Sequence, residues 1–165
     1  MKEVLIDAKG ANKGHYAAGV ISGGMLFLGV VYGLEHLLES GCIEKMPNIV
    51  AIQSEHCAPF AEAVRLGQKT PAAVAPTPTL AEGIAIGQPM RGEEILKKIG
   101  QYNMEIVEIP EDRILPARAA LAAQGIYCEH TTAGNFAAYR RYCQLHGKTP
   151  DSLITMCGAG LKSDH

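Results

Sequence analysis

The chain reads GVISGGMLFLGVVYGL at residues 19–34, where a glycine turn separates two apolar segments. The short run at 16–21 predicts a buried strand, and the run at 24–40 predicts a helix that becomes amphipathic towards its end. Ser22, Gly23 and Gly24 form the junction. A junction of this kind can bind an anion, because unpaired backbone N–H groups and the helix dipole point at it, or it can be a simple tight turn.

The composition is that of a single globular domain. The chain has 165 residues, of which 47% are hydrophobic and 19% are charged, enough to bury a sizeable core. Its net charge of -2 gives no basic surface for nucleic acid or anionic membrane, and it has no Trp for base stacking. Residues 1–16 lack the apolar run of a signal peptide. We expect a soluble, cytoplasmic protein with no nucleic-acid or membrane partner.

The cysteines and histidines do not form a recognisable framework. The five cysteines are scattered and never spaced as CxxC, which favours reduced thiols over disulfides or a zinc site. His15, His36 and His146 have no partners at ligand spacing, so no metal site is predicted. His56 and Cys57 follow a predicted strand, but adjacent residues there point apart, so we do not assign them as a nucleophilic pair.

Strands and helices alternate along the chain. Further strands are predicted at 48–53, 104–109 and 151–158. Helices are predicted at 58–67, 92–101, 110–125 and 131–147, with an irregular proline-rich connection at 68–78. This order predicts an α/β domain with three αβα layers and a mostly parallel sheet. Ligands in such sheets bind beyond the carboxyl ends of the strands, so the glycine turns at 22–24 and 157–160 are expected to share one pocket.

Two positions near the carboxyl end of the chain carry candidate chemistry. Cys157 ends the last predicted strand and precedes a glycine turn. Its sulfur either faces the crevice or behaves as a small buried hydrophobe. Glu129 precedes the last predicted helix, for which Thr131 or Thr132 is the expected N-cap.

Four stretches match one enzyme family in its order along the chain. They are residues 19–60, then PTLAEGIAIGQPMRGEEIL at 78–96, GIYCEHTTAG at 125–134 and ITMCGAGLKSDH at 154–165. On these stretches the chain resembles the carboxyl-terminal half of threonine synthase and its relatives, the pyridoxal-phosphate enzymes that share the tryptophan-synthase β fold. The resemblance covers residues 16–165, which would form the large domain without the small domain. Residues 1–15 are then a lead-in segment.

The resemblance implies a site for pyridoxal 5′-phosphate. In the family, a glycine-rich loop holds the cofactor phosphate through backbone N–H groups. That loop corresponds here to Ser22, Gly23 and Gly24, with Met25 opening the helix. The family often has a further glycine where this chain has Ile21, whose branched side chain restricts the backbone.

The resemblance also implies three residues around the pyridine ring. Cys157 stands where the family places a Ser or Thr against the ring nitrogen, and some relatives that dehydrate serine or threonine carry cysteine there. A neutral partner at that nitrogen suits β- and γ-elimination. The segment 79–85, which contains Glu82, resembles the stretch that lines the substrate side of the ring. Glu129 matches a glutamate commonly near the cofactor.

The family's Schiff-base lysine lies in the amino-terminal half, and no such motif occurs in this chain. The resemblance therefore implies no catalytic residue here. It implies an amino-terminal half instead, either one from which this domain was excised or one on a separate chain, or else a second copy in a homodimer that covers the exposed apolar face. The lysine of the missing half would act as base.

The function expected from the resemblance is elimination and replacement on a small amino-acid substrate, with O-phosphohomoserine as the leading case. One alternative is a serine/threonine dehydratase, and another is a synthase that adds a sulfur nucleophile to phosphoserine, like cysteate or cysteine synthase. An alternative from another class is a non-catalytic remnant that binds a phosphorylated ligand or a partner protein.

Overall fold

The computed structural model describes residues 24–147 and 152–162. Its helices and strands are α1 (Met25–Glu39), β1 (Val50–Ser54), α2 (Pro59–Arg65), α3 (Gly92–Gln101), β2 (Glu105–Ile109), α4 (Ile114–Ala122) and α5 (His130–His146). Short 3-10 helices lie at Glu82–Ile84, Glu111–Arg113 and Gly160–Lys162. The predicted strand at 16–21 lies outside the described residues, as do Ser22 and Gly23.

The two strands pair in parallel, with Ala51 opposite Ile106 and Ile52 opposite Val107. Their side chains alternate between the two faces of the sheet. Ile52 and Val107 belong to one apolar core, while Ala51 and Ile106 pack in the other. Every residue of β1 is buried, as expected of a strand covered on both faces. The parallel α/β fold predicted from the sequence is confirmed.

Helices cover both faces of the sheet. The first face, here called the α1 face, carries α1, α2 and α3, and its core includes Phe27, Leu28, Val31, Phe60, Ala63, Ile95 and Ile99. The second face, here called the α5 face, carries α4, α5 and the first 3-10 helix, and its core includes Ile84, Ile114, Ala117, Leu121, Ala133, Ala137 and Ala138. The predicted three layers of helix, sheet and helix are therefore present in the described part of the chain.

The predicted strand at 151–158 is not a strand in its described part. Residues 152–158 pair with no strand, and a single isolated bridge joins Cys128 to Ala159 just beyond them. Their backbone is held from the side by α5, where Asn135 Nδ2 donates to the Thr155 carbonyl at 2.8 Å. Periodicity in a short apolar run does not distinguish a strand from an extended segment that packs on a helix. Cys157 consequently lies in an irregular segment rather than at the end of a strand.

The last helix begins one residue earlier than predicted. Glu129 is the N-cap of α5, with φ −69° and ψ 166°, and Thr131 and Thr132 lie within the first turn. The prediction that Thr131 or Thr132 caps this helix is therefore wrong. The Thr132 hydroxyl oxygen instead accepts a hydrogen bond from the backbone N–H of Gly158.

Within residues 24–147 and 152–162, no helix has the length and apolar character needed to cross a bilayer. The same residues contain no group of three or more His, Cys, Asp or Glu side chains arranged to hold a metal ion. The five cysteines Cys42, Cys57, Cys128, Cys143 and Cys157 form no disulfide in the described part of the chain.

Candidate active site

Four residues meet at the amino-terminal end of α5, and we call them the thiol cluster: Glu129, Thr132, Cys157 and Gly158. The buried Thr132 hydroxyl oxygen lies 3.4 Å from Cys157 Sγ and 3.4 Å from Glu129 Oε1. The Gly158 backbone N–H donates to the same oxygen at 3.0 Å. Cys157 is exposed, and its Sγ lies 3.9 Å from Glu129 Oε1. The structure thus brings the predicted residues Glu129 and Cys157 together through a threonine that sequence reasoning treated only as a cap.

A carboxylate closely approaches the backbone at Gly158. A Cβ built on Gly158 would lie 2.0 Å from both Cδ and Oε1 of Glu129. The Glu129 backbone N–H also donates to the Gly158 carbonyl at 3.0 Å. The second glycine turn therefore serves to place Glu129 beside Cys157, since any side chain at 158 would displace the carboxylate.

Arg118 of α4 holds the segment that carries Cys157. Its Nε donates to the Cys128 carbonyl at 2.9 Å, and its Nη2 donates to the Gly160 carbonyl at 3.3 Å. The guanidinium carbon also lies 4.9 Å from the centroid of the Tyr127 ring. One arginine therefore joins the two chain segments that flank the thiol cluster.

Residues 77–84, here called the edge segment, cross the end of the sheet where β1 and β2 finish. Ser54, the last residue of β1, has its Oγ 3.2 Å from Thr79 Oγ1. Glu111, which follows β2, accepts a hydrogen bond from Thr79 Oγ1 at 2.6 Å and one from the Leu80 N–H at 2.5 Å. The start of the stretch 79–85, which is predicted to line the substrate side of the ring, is therefore tied to the carboxyl ends of both strands.

The far end of the edge segment reaches α5. The 3-10 helix Glu82–Ile84 packs there, and a Cβ built on Gly83 would lie 2.9 Å from Thr131 Oγ1. Glu82 is exposed at this point. The structure thus places Gly83, the residue after Glu82, against the first turn of α5.

Sequence reasoning missed two carboxylates at the ends of the strands. They are Glu55, which follows β1, and Glu111, which follows β2; Glu55 Oε1 accepts a hydrogen bond from the backbone N–H of Glu111 at 2.7 Å. Their position directly after a parallel strand was the signal that could have found these carboxylates.

The structure gives no support to a nucleophilic pair of His56 and Cys57. His56 Nδ1 lies 2.5 Å from the Pro78 carbonyl oxygen, whereas Cys57 is 1% exposed and burial raises the pKa of its thiol.

Gly24 forms the start of α1. It is the N-cap, with φ +91° and ψ −16°, a left-handed conformation that side chains other than glycine rarely adopt. A Cβ there would lie 2.6 Å from Ile95 Cδ1, and the neighbouring Met25 is 69% exposed. Because glycine has no side chain to cap the helix, the first-turn N–H groups of α1 depend on an acceptor from elsewhere. This is the chemistry required of a phosphate-binding turn.

The starts of α1 and α5 lie at the same edge of the sheet, on opposite faces. Met25 Sδ, at the start of α1, lies 3.9 Å from Nη1 of Arg91, which directly precedes α3. Since α3 leads to the start of β2, its own start lies towards the opposite edge of the sheet, where β2 ends. The start of α5 meets the edge segment at the carboxyl ends of the strands. A pocket shared by the two glycine turns stays a prediction, because Ser22 and Gly23 lie outside the described residues.

Together these features define an α/β protein with a parallel sheet, in which an uncapped helix start and a hydrogen-bonded thiol are candidate parts of a ligand site. A protein-family model described as "Pyridoxal-phosphate dependent enzyme" matches residues 3–158. Because that match spans nearly the whole chain, the chain belongs to this family of tryptophan-synthase-β-like enzymes, and its cofactor is pyridoxal 5′-phosphate.

Solved structures agree with this fold. Threonine deaminase isoform 2 from Solanum lycopersicum matches with a TM-score of 0.71 and 17% identity over 92% of this chain and 42% of its own length. An L-serine ammonia-lyase from Rhizomucor miehei matches with a TM-score of 0.70 and 15% identity over 96% of this chain and 50% of its own. Maize serine racemase matches with a TM-score of 0.67 and 16% identity over 96% of this chain and 46% of its own. The chain therefore spans about half the length of these structures.

The residues present fit the cofactor of the family. Gly24 leaves the N–H groups at the start of α1 to an anion such as a phosphate, and an exposed thiol at Cys157 can serve as a hydrogen-bonding partner for a ring nitrogen. The family and the cofactor inferred from the sequence are confirmed. The finer resemblance to threonine synthase is not matched by the neighbouring structures, which are a deaminase, an ammonia-lyase and a racemase.

Proposed function

We propose that this chain forms the cofactor-binding half of a pyridoxal-phosphate enzyme that eliminates water from a hydroxy amino acid such as serine or threonine. The observation that carries the proposal is the thiol cluster, in which Cys157 Sγ lies 3.4 Å from Thr132 Oγ1 and remains exposed. A cysteine at this position is typical of some dehydratases that this chain resembles. The deaminase and the ammonia-lyase among the neighbouring structures support the same choice.

Each part of the proposed site has its own task. The first-turn N–H groups of α1, together with Ser22, Gly23 and Gly24, would bind the phosphate of the cofactor. Cys157 would meet the ring nitrogen as an uncharged partner, with Thr132 fixing the direction of the thiol. When bound, pyridoxal 5′-phosphate acts as an electron sink for the bonds around the substrate Cα.

The enzyme would be completed by the amino-terminal half of the fold. The chain spans about half the length of the structures that it matches, and no lysine of this chain fits the family's cofactor lysine. Met25 is 69% exposed and Met90 is 100% exposed, so apolar groups remain to be covered near the start of α1. We propose an amino-terminal half as the partner, with self-association of this chain as the alternative.

A second candidate is a synthase that acts on a phosphorylated amino acid. The sequences CEHTTAG at 128–134 and GLKSDH at 160–165 resemble the synthases more than the dehydratases. The substrate would be O-phosphohomoserine in a threonine synthase, or phosphoserine in an enzyme that adds a sulfur nucleophile. A chain that binds the cofactor or another phosphorylated ligand without catalysis is the remaining possibility.

The test combines this chain with a matching amino-terminal half and pyridoxal 5′-phosphate. The assembly should develop the absorbance of bound cofactor and release a 2-oxo acid from threonine or serine. Release of inorganic phosphate from O-phosphohomoserine, with threonine as product, would instead support the synthase. An assembly that is colourless after unbound cofactor has been removed would rule out both enzymes.

A further inference from the structure

The Glu111 side chain engages the edge segment with both of its carboxylate oxygens. Oε2 accepts from the Thr79 hydroxyl at 2.6 Å, and Oε1 accepts from the Leu80 backbone N–H at 2.5 Å. The side chain is 23% exposed, so these hydrogen bonds are partly shielded from water. Two bonds from one rigid carboxylate fix both the position and the orientation of the backbone that they hold.

Glu111 is itself anchored to both strands. Its backbone N–H donates to Glu55 Oε1 at 2.7 Å, and the Glu55 N–H donates to the Ile109 carbonyl, at the end of β2, at 3.1 Å. The His56 ring adds a further tie, since its Nδ1 lies 2.5 Å from the Pro78 carbonyl oxygen and 3.8 Å from Glu111 Oε2. The edge segment is therefore coupled to the sheet through side chains.

The other end of the edge segment contacts α5, where Gly83 meets Thr131. The edge segment is therefore fixed relative to the thiol cluster at one end by Glu111 and at the other by packing against α5. We propose that Glu111 is a positioning residue for the amino-acid substrate: it holds residues 79–83 in place through Thr79 and Leu80, without touching the substrate. This inference rests on the proposed function, since it takes the edge segment as a wall of the substrate site.

Amide hydrogen exchange on the chain alone tests the structural half of the inference. In Glu111→Ala, the Leu80 and Ala81 amides should exchange about tenfold faster or more, because the carboxylate bonds that hold the segment are lost. Glu111→Gln should recover part of the protection, since its amide oxygen can still accept one bond. The matched control is Glu108→Ala, which removes an exposed carboxylate of β2 that pairs with Arg65 at 3.3 Å.

The Ile52 and Val107 amides report on the sheet in the same experiment and should remain protected. If Glu111→Ala does not fold, Thr79→Val removes one of the two bonds and should accelerate exchange at Ala81, whose N–H donates to Thr79 Oγ1 at 3.1 Å. Unchanged exchange at Leu80 and Ala81 in a folded Glu111→Ala protein would overturn the inference.

Steady-state kinetics of the complete enzyme, assembled with its amino-terminal half, test the functional half. Glu111→Ala should raise KM for the amino acid about tenfold while kcat changes less than about threefold, because a displaced wall weakens binding and leaves the reacting groups in place. A fall in kcat with an unchanged KM would overturn the positioning role. A wild-type assembly that binds cofactor but has no activity on any of the named amino acids would refute the proposed function, whereas the exchange result would still stand.

Discussion

The starts of α1 and α5 lie at one edge of the sheet but offer a ligand different chemistry. At α1, Gly24 presents backbone N–H groups and no polar side chain. At α5, a carboxylate, a hydroxyl and a thiol lie within 3.9 Å of one another, in Glu129, Thr132 and Cys157. Backbone N–H groups donate hydrogen bonds to any anion of suitable size, whereas a fixed set of side chains discriminates between ligand atoms. We therefore expect the α1 side to supply affinity and the α5 side to supply selectivity.

The largest effect is expected from Gly24→Ala, which breaks the α1 side of this comparison. An alanine would have to adopt φ +91° with its Cβ 2.6 Å from Ile95 Cδ1, and we expect the free energy of unfolding to fall by about 2 kcal/mol. Affinity for pyridoxal 5′-phosphate should fall with it. Urea denaturation measures the first effect and a cofactor titration the second.

Gly29→Ala is the matched control for this prediction. It lies in the same helix, and a Cβ there would meet nothing within 4 Å. It should therefore raise stability by about 0.5–1 kcal/mol, since alanine is the better helix former. Equal stability for the Gly24 and Gly29 variants would show that the start of α1 is not conformationally constrained.

The second largest effect is expected from Gly158→Ala, on the α5 side. Because the new Cβ would lie 2.0 Å from Glu129 Oε1, the carboxylate must move away from Cys157, at a cost of about 1–2 kcal/mol in the free energy of unfolding. Denaturant unfolding measures the loss. Gly100→Ala, where nothing lies within 4 Å of the new Cβ, is the control and should not destabilise the protein.

A smaller effect is expected from Thr132→Val, which keeps the shape and removes the hydroxyl of the thiol cluster. Loss of the Gly158 N–H bond should cost about 1 kcal/mol. The loosened segment should let Cys157 react with iodoacetamide about fivefold faster. Peptide mapping can assign the reaction to individual cysteines. Cys57 and Cys128 should not react, because burial raises the pKa of their thiols.

Thr132→Ser is the control for this measurement, since it keeps the hydroxyl and should react like the wild type. The exposed Cys42 serves as an internal reference for reagent activity. Equal rates at Cys157 in the valine and serine variants would contradict a role for the Thr132 hydroxyl in holding the thiol.

The smallest effect concerns the α1 face away from the ligand edge. A hydrogen bond to Glu35 raises the pKa of Tyr102 from 10.0 to about 12. Since the pKa in the folded state lies above that of the unfolded state, this bond stabilises fully below pH 10 and its contribution disappears as the pH approaches 12. Tyr102→Phe should cost about 0.5 kcal/mol at neutral pH. Unfolding measured across this pH range should show the wild type and the variant converging, and a constant difference would contradict the assignment.

The carboxylate of this pair titrates in the opposite sense. Burial raises the pKa of Glu35, but hydrogen bonds from Lys98 and Tyr102 lower it by more, so its net pKa lies below the usual value. The stabilisation from Glu35 is therefore present above the pKa of the unfolded state and is lost as the pH falls through that of the folded state.

Much of the helical structure was predictable because it depends on neighbours in the chain. The helix predicted at 92–101 has the bounds of α3, Gly92–Gln101, and the helix predicted at 24–40 is α1, Met25–Glu39. Gly41, with φ +69°, follows α1 as a helix-ending glycine should. The prediction of a strand at 151–158 was wrong for its described part, because the apolar character of a segment does not indicate which element will pair with it.

The same distinction between local and long-range information applies to the candidate site. The resemblance was enough to name Gly24, Glu129 and Cys157, because each lies in a short motif. Thr132 and Glu111 were missed as site residues, since their importance comes from contacts across 25 to 32 positions of sequence. A hydrogen bond between residues so far apart depends on how the helices and strands pack, and no local pattern records it.

By itself, the sequence determined the alternation of strands and helices, the parallel sheet, and the family with its cofactor. Periodicity, glycine positions and short motifs carry that information locally. Only the tertiary structure decided that Cys157 sits against Thr132 and Glu129 on α5, and that Glu111 ties the edge segment to both strands. The physical reason is that such hydrogen bonds exist only after the helices have packed on the two faces of the sheet and brought distant side chains within hydrogen-bonding distance of each other.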